Sequence, residues 1–133
     1  EYLNQLDLAL KYYQKCSLMA PDEKIFKNNI ANIFYKKKDY NKAIKELENS
    51  LLIDNNQIKI IEKKAKCLIA LNLRSEANLF IEKFLKKFPN NYLLNILYAK
   101  NLISINYHKK GLEKLKKITG FIELNESKIS IIN

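Results

Sequence analysis

The sequence predicts an all-α fold, a solenoid of stacked antiparallel helix pairs, and three observations carry that expectation. Only two Gly and two Pro interrupt 133 residues. Apolar residues recur at i, i+3, i+4 and i+7 along most of the chain, which lines up one face of a helix. Small and turn-forming residues also return every 34 positions: Ala31, Ala65 and Ala99 in one slot, Ala9, Ala43, Ala77 and Gly111 in a second, Pro21, Asn55, Pro89 and Glu123 in a third. A fixed period of this length means one supersecondary unit copied along the chain, each copy burying its apolar stripe on the next.

Composition agrees. With 47% hydrophobic and 29% charged residues the chain suits a folded domain and not a disordered one. No apolar run approaches the roughly 18–20 residues that a membrane-spanning helix needs. The formal charge of +10 invites a nucleic-acid reading. Against it, the basic residues are lysines with a single Arg74, and Arg is the side chain that bidentate base readout favours. Lys, Asn and Ile fill 58 of the 133 positions, the mark of an AT-rich coding sequence, so a solvated lysine surface is the better account. Such a surface still steers acidic partners toward the chain.

The 34-residue grid divides one domain, 1–133. Residues 1–23 read as the second helix of a truncated repeat, with Leu6, Ala9, Leu10, Tyr13, Cys16 and Met19 on its apolar face. Ala20-Pro21-Asp22 ends it, because Pro cannot continue a helix. Counted back on the grid, Glu1 lies near the end of a first helix, so the chain is expected to be a fragment of a longer array. The first complete repeat is 24–57. Ile25, Phe26, Ile30, Ile33 and Phe34 give helix A its apolar face, Lys36 to Asp39 make the turn, and Tyr40, Ala43, Ile44, Leu47, Leu51 and Ile53 line helix B. Asp54-Asn55-Asn56 close the unit with residues that favour turns. Repeats 58–91 and 92–125 follow with turns near 72 and 106, and 126–133 begin another first helix.

These residues carry a resemblance. The spacing Ile30-Ala31-x-x-Phe34 followed by Ala43-x-x-x-Leu47 resembles the tetratricopeptide repeat, W-x2-L-G-x2-Y…A-x3-F…P over 34 residues. The match runs over 1–125. It departs at Lys64, Phe84, Gly111 and Ile118, and none of the repeats has the pattern's Trp: Lys27, Ile61 and Asn95 stand there. The resemblance implies a right-handed superhelix whose first helices line a concave groove that holds an extended peptide or a partner helix. It places Asn28, Asn29, Asn32 and Tyr35, with Ile25 and Lys36, on that groove from the first complete repeat. Lys59, Glu62, Lys63, Lys66 and Ile69 come from the second, and Leu93, Ile96, Leu97, Lys100 and Ile103 from the third. Leu93, Ile96 and Leu97 have a second reading, as residues that pack under the following repeat.

Three partner readings stay open. The principal one is a scaffold or adaptor holding a protein segment in the groove. A sharper one is the carboxylate clamp of co-chaperone relatives, to whose second and third helices Asn29, Lys59 and Lys63 correspond. The third is a basic nucleic-acid-binding surface. Open solenoid ends also allow self-association. No cofactor, metal or small-molecule substrate is expected. Cys16 and Cys67 read as small hydrophobes in helices, without metal or redox spacing. His108 falls in a turn, Glu46 and Glu48 diverge on one helix, and there is no phosphate loop or HExxH, so the chain is not expected to be an enzyme.

Overall fold

The computed structural model describes residues 1–105 and 108–119. Its elements are seven helices: α1 (Tyr2–Met19), α2 (Lys24–Lys36), α3 (Tyr40–Ile53), α4 (Ile58–Ala70), α5 (Arg74–Lys87), α6 (Tyr92–Ser104) and α7 (His108–Thr119). Among the described residues there is no strand. His108, expected in the turn, is the first residue of α7, and the residues expected to start a further repeat lie outside the described ones. Two compact units divide the chain, 1–71 and 72–133.

In the first unit α2 packs on α1 and α3, and α3 packs on α4. Ala31, Ala43, Leu47 and Cys67 form the centre, with Phe34, Tyr35, Tyr40, Ile44 and Ile60 closing over it. Both alanines are completely buried, as are Ala65, Ala77 and Ala99 along the chain. A methyl group is what lets two helix axes close to about 8–10 Å. Ala9 is only half-buried, and so is most of the stripe predicted for α1: Leu6 alone is buried there, while Met19 is exposed. Among the described helices α1 packs on α2, and Met19, the last residue of α1, stays exposed.

The α2–α3 and α4–α5 turns each pass through a left-handed residue. After α2 the chain passes through Lys37 and then Lys38, whose φ of 61° is left-handed. Lys38 N donates to Tyr35 O at 3.0 Å and Asp39 N to Phe34 O at 2.8 Å, the paired bonds of a Schellman motif. Asp39 then turns around and caps α3, its carboxylate accepting from Lys42 N. Asn72 repeats the left-handed geometry, also at 61°, one period later. The α3–α4 turn is held by polar side chains. Ser50, fully buried, donates its hydroxyl to Asn28 Oδ1, and Gln57 Nε2 lies 2.9 Å from Ser50 Oγ and 2.8 Å from Asp54 O.

The second unit packs α6 on α5 and α7. Where the preceding repeat has Tyr40 and Ile44, it has Arg74 and Asn78. Asn101, 1% exposed, donates from Nδ2 to Asn78 Oδ1 and to Arg74 O, both at 2.7 Å, and accepts from the Arg74 guanidinium at 3.1 Å. Both ends of the Asn101 amide therefore have partners.

Two stability outcomes follow. Lys38→Gly removes the steric cost of a left-handed side chain, and we expect the unfolding free energy to rise by about 0.5–1 kcal/mol in urea titration. Asn101→Ala strands Asn78 and Arg74 and lowers it by about 2–3 kcal/mol. In a double-mutant cycle with Asn78→Ala the two losses are not additive, with a coupling of about 1 kcal/mol.

Candidate functional site

The surface shared by α2 and α4 gathers most of the residues expected to meet a partner. Both helices lie on α3, so their outer faces are neighbours. Lys63 joins them. Its Nζ donates to Asn32 Oδ1 at 2.8 Å and sits 5.0 Å from the centre of the Tyr35 ring, a cation–π distance. Tyr35 in turn stands edge-on to Tyr40, with ring centres 5.7 Å apart. A lysine of α4 thus bridges to the amide and the aromatic ring that α2 presents one turn apart.

Burial holds the Lys63 ammonium below the ordinary lysine range, with Lys66 and Lys36 adding like-charge repulsion and Cys67 opposing them. Burial raises Tyr35. Around this half-buried centre Lys36 and Lys66 are exposed, and Lys59 is 87% exposed with its Nζ 3.6 Å from Glu62. The Glu62 residue itself is only 7% exposed, so it lies at the floor of the face. Asn29 and Ile69 are half-buried. Asn28 is different. Its Nδ2 reaches Gln57 Oε1 at 2.9 Å and its Oδ1 takes the Ser50 hydroxyl, so this side chain fastens the α3–α4 turn.

In the second unit, α6 carries Leu93, Ile96 and Leu97 half-buried and Lys100 exposed, while Ile103 is buried. Sequence reasoning missed the polar group beside them. Tyr98 donates its hydroxyl to Glu82 Oε1 at 2.7 Å, with Lys114 Nζ 5.5 Å over its ring. Burial, then the Glu82 contact, pushes the Tyr98 phenol up to about 12. Among the described residues no cluster of His, Cys, Asp and Glu is gathered that could hold a metal ion. Cys67 is buried, and burial pushes its thiol up to about 11 against the opposing pull of Lys63. It is a packing group and not a nucleophile.

No protein-family model matches the sequence, and no curated protein does either. Solved structures match the fold. YrrB, described as a TPR protein with an unusual peptide-binding site, is 16% identical over 90% of this chain with a TM-score of 0.75. Two structures of MamA, MSR-1 and AMB-1, are each 16% identical over 87% of the chain, with TM-scores of 0.75 and 0.74. The chain covers 61% of YrrB and 67% and 68% of the two MamA chains, so it spans roughly two thirds of their length. No helix among the described residues is long and apolar enough to cross a membrane.

The raised thiol and phenol tie stability to alkaline pH. Both groups keep their protons longer in the folded chain, so their contribution is whole below about pH 9 for a thiol and 10 for a phenol. It is lost as pH rises toward 11 for Cys67 and 12 for Tyr98. Unfolding free energies measured between pH 8 and 11 should therefore fall with pH, and Cys67→Ala should flatten that fall even though it lowers the value at neutral pH. In the native chain a thiol reagent should modify half-buried Cys16 well before Cys67.

Proposed function

We propose that this chain, which has the tetratricopeptide-repeat fold, is a non-catalytic interaction module that binds an extended acidic protein segment across α2 and α4. The observation that carries this reading is the Lys63 bridge. By tying Asn32 and Tyr35 to α4, it makes two helices from consecutive repeats present a single face. That face offers what a peptide needs. Asn29 and Asn32 have amides that can both donate to and accept from a backbone. Lys36, Lys59 and Lys66 offer ammonium groups to acidic side chains, and Tyr35 offers a flat apolar contact. The net charge of +10 raises the encounter rate with an acidic segment. The peptide-binding site named for YrrB, a neighbour in fold, supports the same class of partner. In the second unit, Leu93, Ile96, Leu97 and Lys100 extend the set of partner-facing residues on α6.

The clamp for a free carboxyl terminus is the narrower form of this reading. It would use Asn29, Lys59 and Lys63, of which Lys63 is already engaged by Asn32 and Lys59 lies beside Glu62. The broader reading is the one we favour.

Titration calorimetry with acidic and neutral peptides of equal length tests both. We expect the acidic peptides to bind more tightly, and Lys63→Ala and Tyr35→Ala each to weaken binding roughly tenfold, or by about 1–2 kcal/mol. Equal affinity for neutral peptides would remove the proposal. Amidation of the peptide's C-terminus should leave affinity unchanged, whereas its loss would assign the clamp. A steep salt dependence with nucleic acid of any sequence, and no peptide binding, would assign the basic surface to that partner instead.

A further inference from the structure

Lys27, Ile61 and Asn95 occupy the slot where the repeat pattern carries Trp, and the three fill it differently. Lys27 crosses it with its aliphatic stem and donates from Nζ to Ser17 Oγ at 3.2 Å. Ile61 is completely buried. Asn95 is much smaller than Trp and folds back on its own turn, donating from Nδ2 to Pro89 O at 3.0 Å and to Asn91 O at 2.8 Å. Within the second unit this leaves a cavity of about 380 Å³ between the end of α5, the α5–α6 turn and α7. That volume falls at the small end of ligand sites, which run from about 300 to 1,000 Å³.

The lining has two characters. Leu85, Pro89 and Ile118 are apolar, while Asn95, Lys114 and Lys117 are polar. Asn95 is 8% exposed, and the two carbonyls it donates to fix which way its amide faces. Among the described residues nothing donates to its Oδ1, a costly state for a buried acceptor. Neither Lys114 nor Lys117 forms an ion pair with a described residue. Two lysines, an unanswered acceptor and an apolar wall therefore line one space, and the Lys114 stem can swing its ammonium from the Tyr98 ring, 5.5 Å away, toward it.

We propose that this cavity binds a small carboxylate that carries an apolar side group and an adjacent N–H. Lys114 and Lys117 hold the carboxylate, Leu85, Pro89 and Ile118 receive the apolar group, and Asn95 Oδ1 accepts the N–H. An N-acylated apolar amino acid has this chemistry, and so does the last residue of a peptide. The residue pattern points to no small ligand; the space lies beside Asn95, at the slot where the repeat pattern carries Trp. Its lining shares no residue with the face on α2 and α4, and Tyr35→Ala should not affect it.

Two-dimensional NMR titration of the full chain tests the proposal with N-acetyl-L-leucine, its carboxamide, inorganic phosphate and a short peptide ending in leucine. We expect N-acetyl-L-leucine to saturate with a dissociation constant on the order of millimolar, shifting the amides of Leu85, Asn95 and Ile118. The carboxamide should bind roughly tenfold more weakly or worse, and phosphate should not saturate these resonances. Lys114→Gln with Lys117→Gln should weaken binding by a similar factor. Asn95→Trp, which fills the space, should abolish it, and Ile118→Phe blocks the opposite wall in case that variant does not fold. A peptide as tight as the free compound assigns a chain terminus as the source, and a much weaker one assigns a free small molecule. Equal binding of the carboxamide, shifts that survive both Ile118→Phe and the lysine substitutions, or no saturable binding would overturn the proposal.

Discussion

The close approach of helices at the alanine slots is the constraint on which the rest of the molecule depends. Ala31, Ala43, Ala65, Ala77 and Ala99 have no exposed surface, and each is set one period from its counterpart. Around Ala31 and Ala43, Leu47 and Cys67 complete a centre in which an added methylene has nowhere to go. With α2 and α4 both drawn tightly onto α3, a lysine stem is long enough to cross from one to the other. A wider spacing would leave Lys63 in solvent and Asn32 without its donor, and the common face would become two separate helices.

The repeat was legible because its signals are local and redundant. Alanine, aromatic and turn positions recur in register, and the two left-handed residues, Lys38 and Asn72, fall at turns that the period alone indicates. The individual side chains were harder to read. Periodicity assigns Asn28 to the same face as Asn29 and Asn32, but it carries no information about a buried serine one helix away, and Ser50 claims it. Glu62 reads as a solvated charge on any helical wheel, yet it is buried beneath Lys59. Met19 has the right spacing for a core residue and nothing opposite to pack against. For Asn28 the deciding partner lies 22 residues away, where helical periodicity carries no signal.

The two compact units solve one packing problem with different chemistry. In the first, Tyr40, Ile44 and Cys67 close the space between helices as apolar or weakly polar groups. In the second, Arg74, Asn78 and Asn101 take the corresponding positions and are joined to one another by hydrogen bonds. A network of this kind adds little net energy over an apolar one but admits fewer alternative registers. It also consumes the single guanidinium of the chain, which donates to Asn72 and Asn101. The residue best suited to reading a base edge is thereby engaged, half-buried, by the fold's own side chains.

The left-handed turns bear on how such a protein comes to be written. Glycine is the residue that a positive φ favours, but its codons all begin with two guanines. A genome poor in G and C supplies AAA and AAT in their place. Lysine and asparagine now stand at φ 61° in this chain, which has only two glycines. Nucleotide bias is thus converted into a left-handed backbone cost at these two turns. An array assembled from such units accumulates that burden in proportion to its length, and compensates only through what its alanines and aromatics can bury.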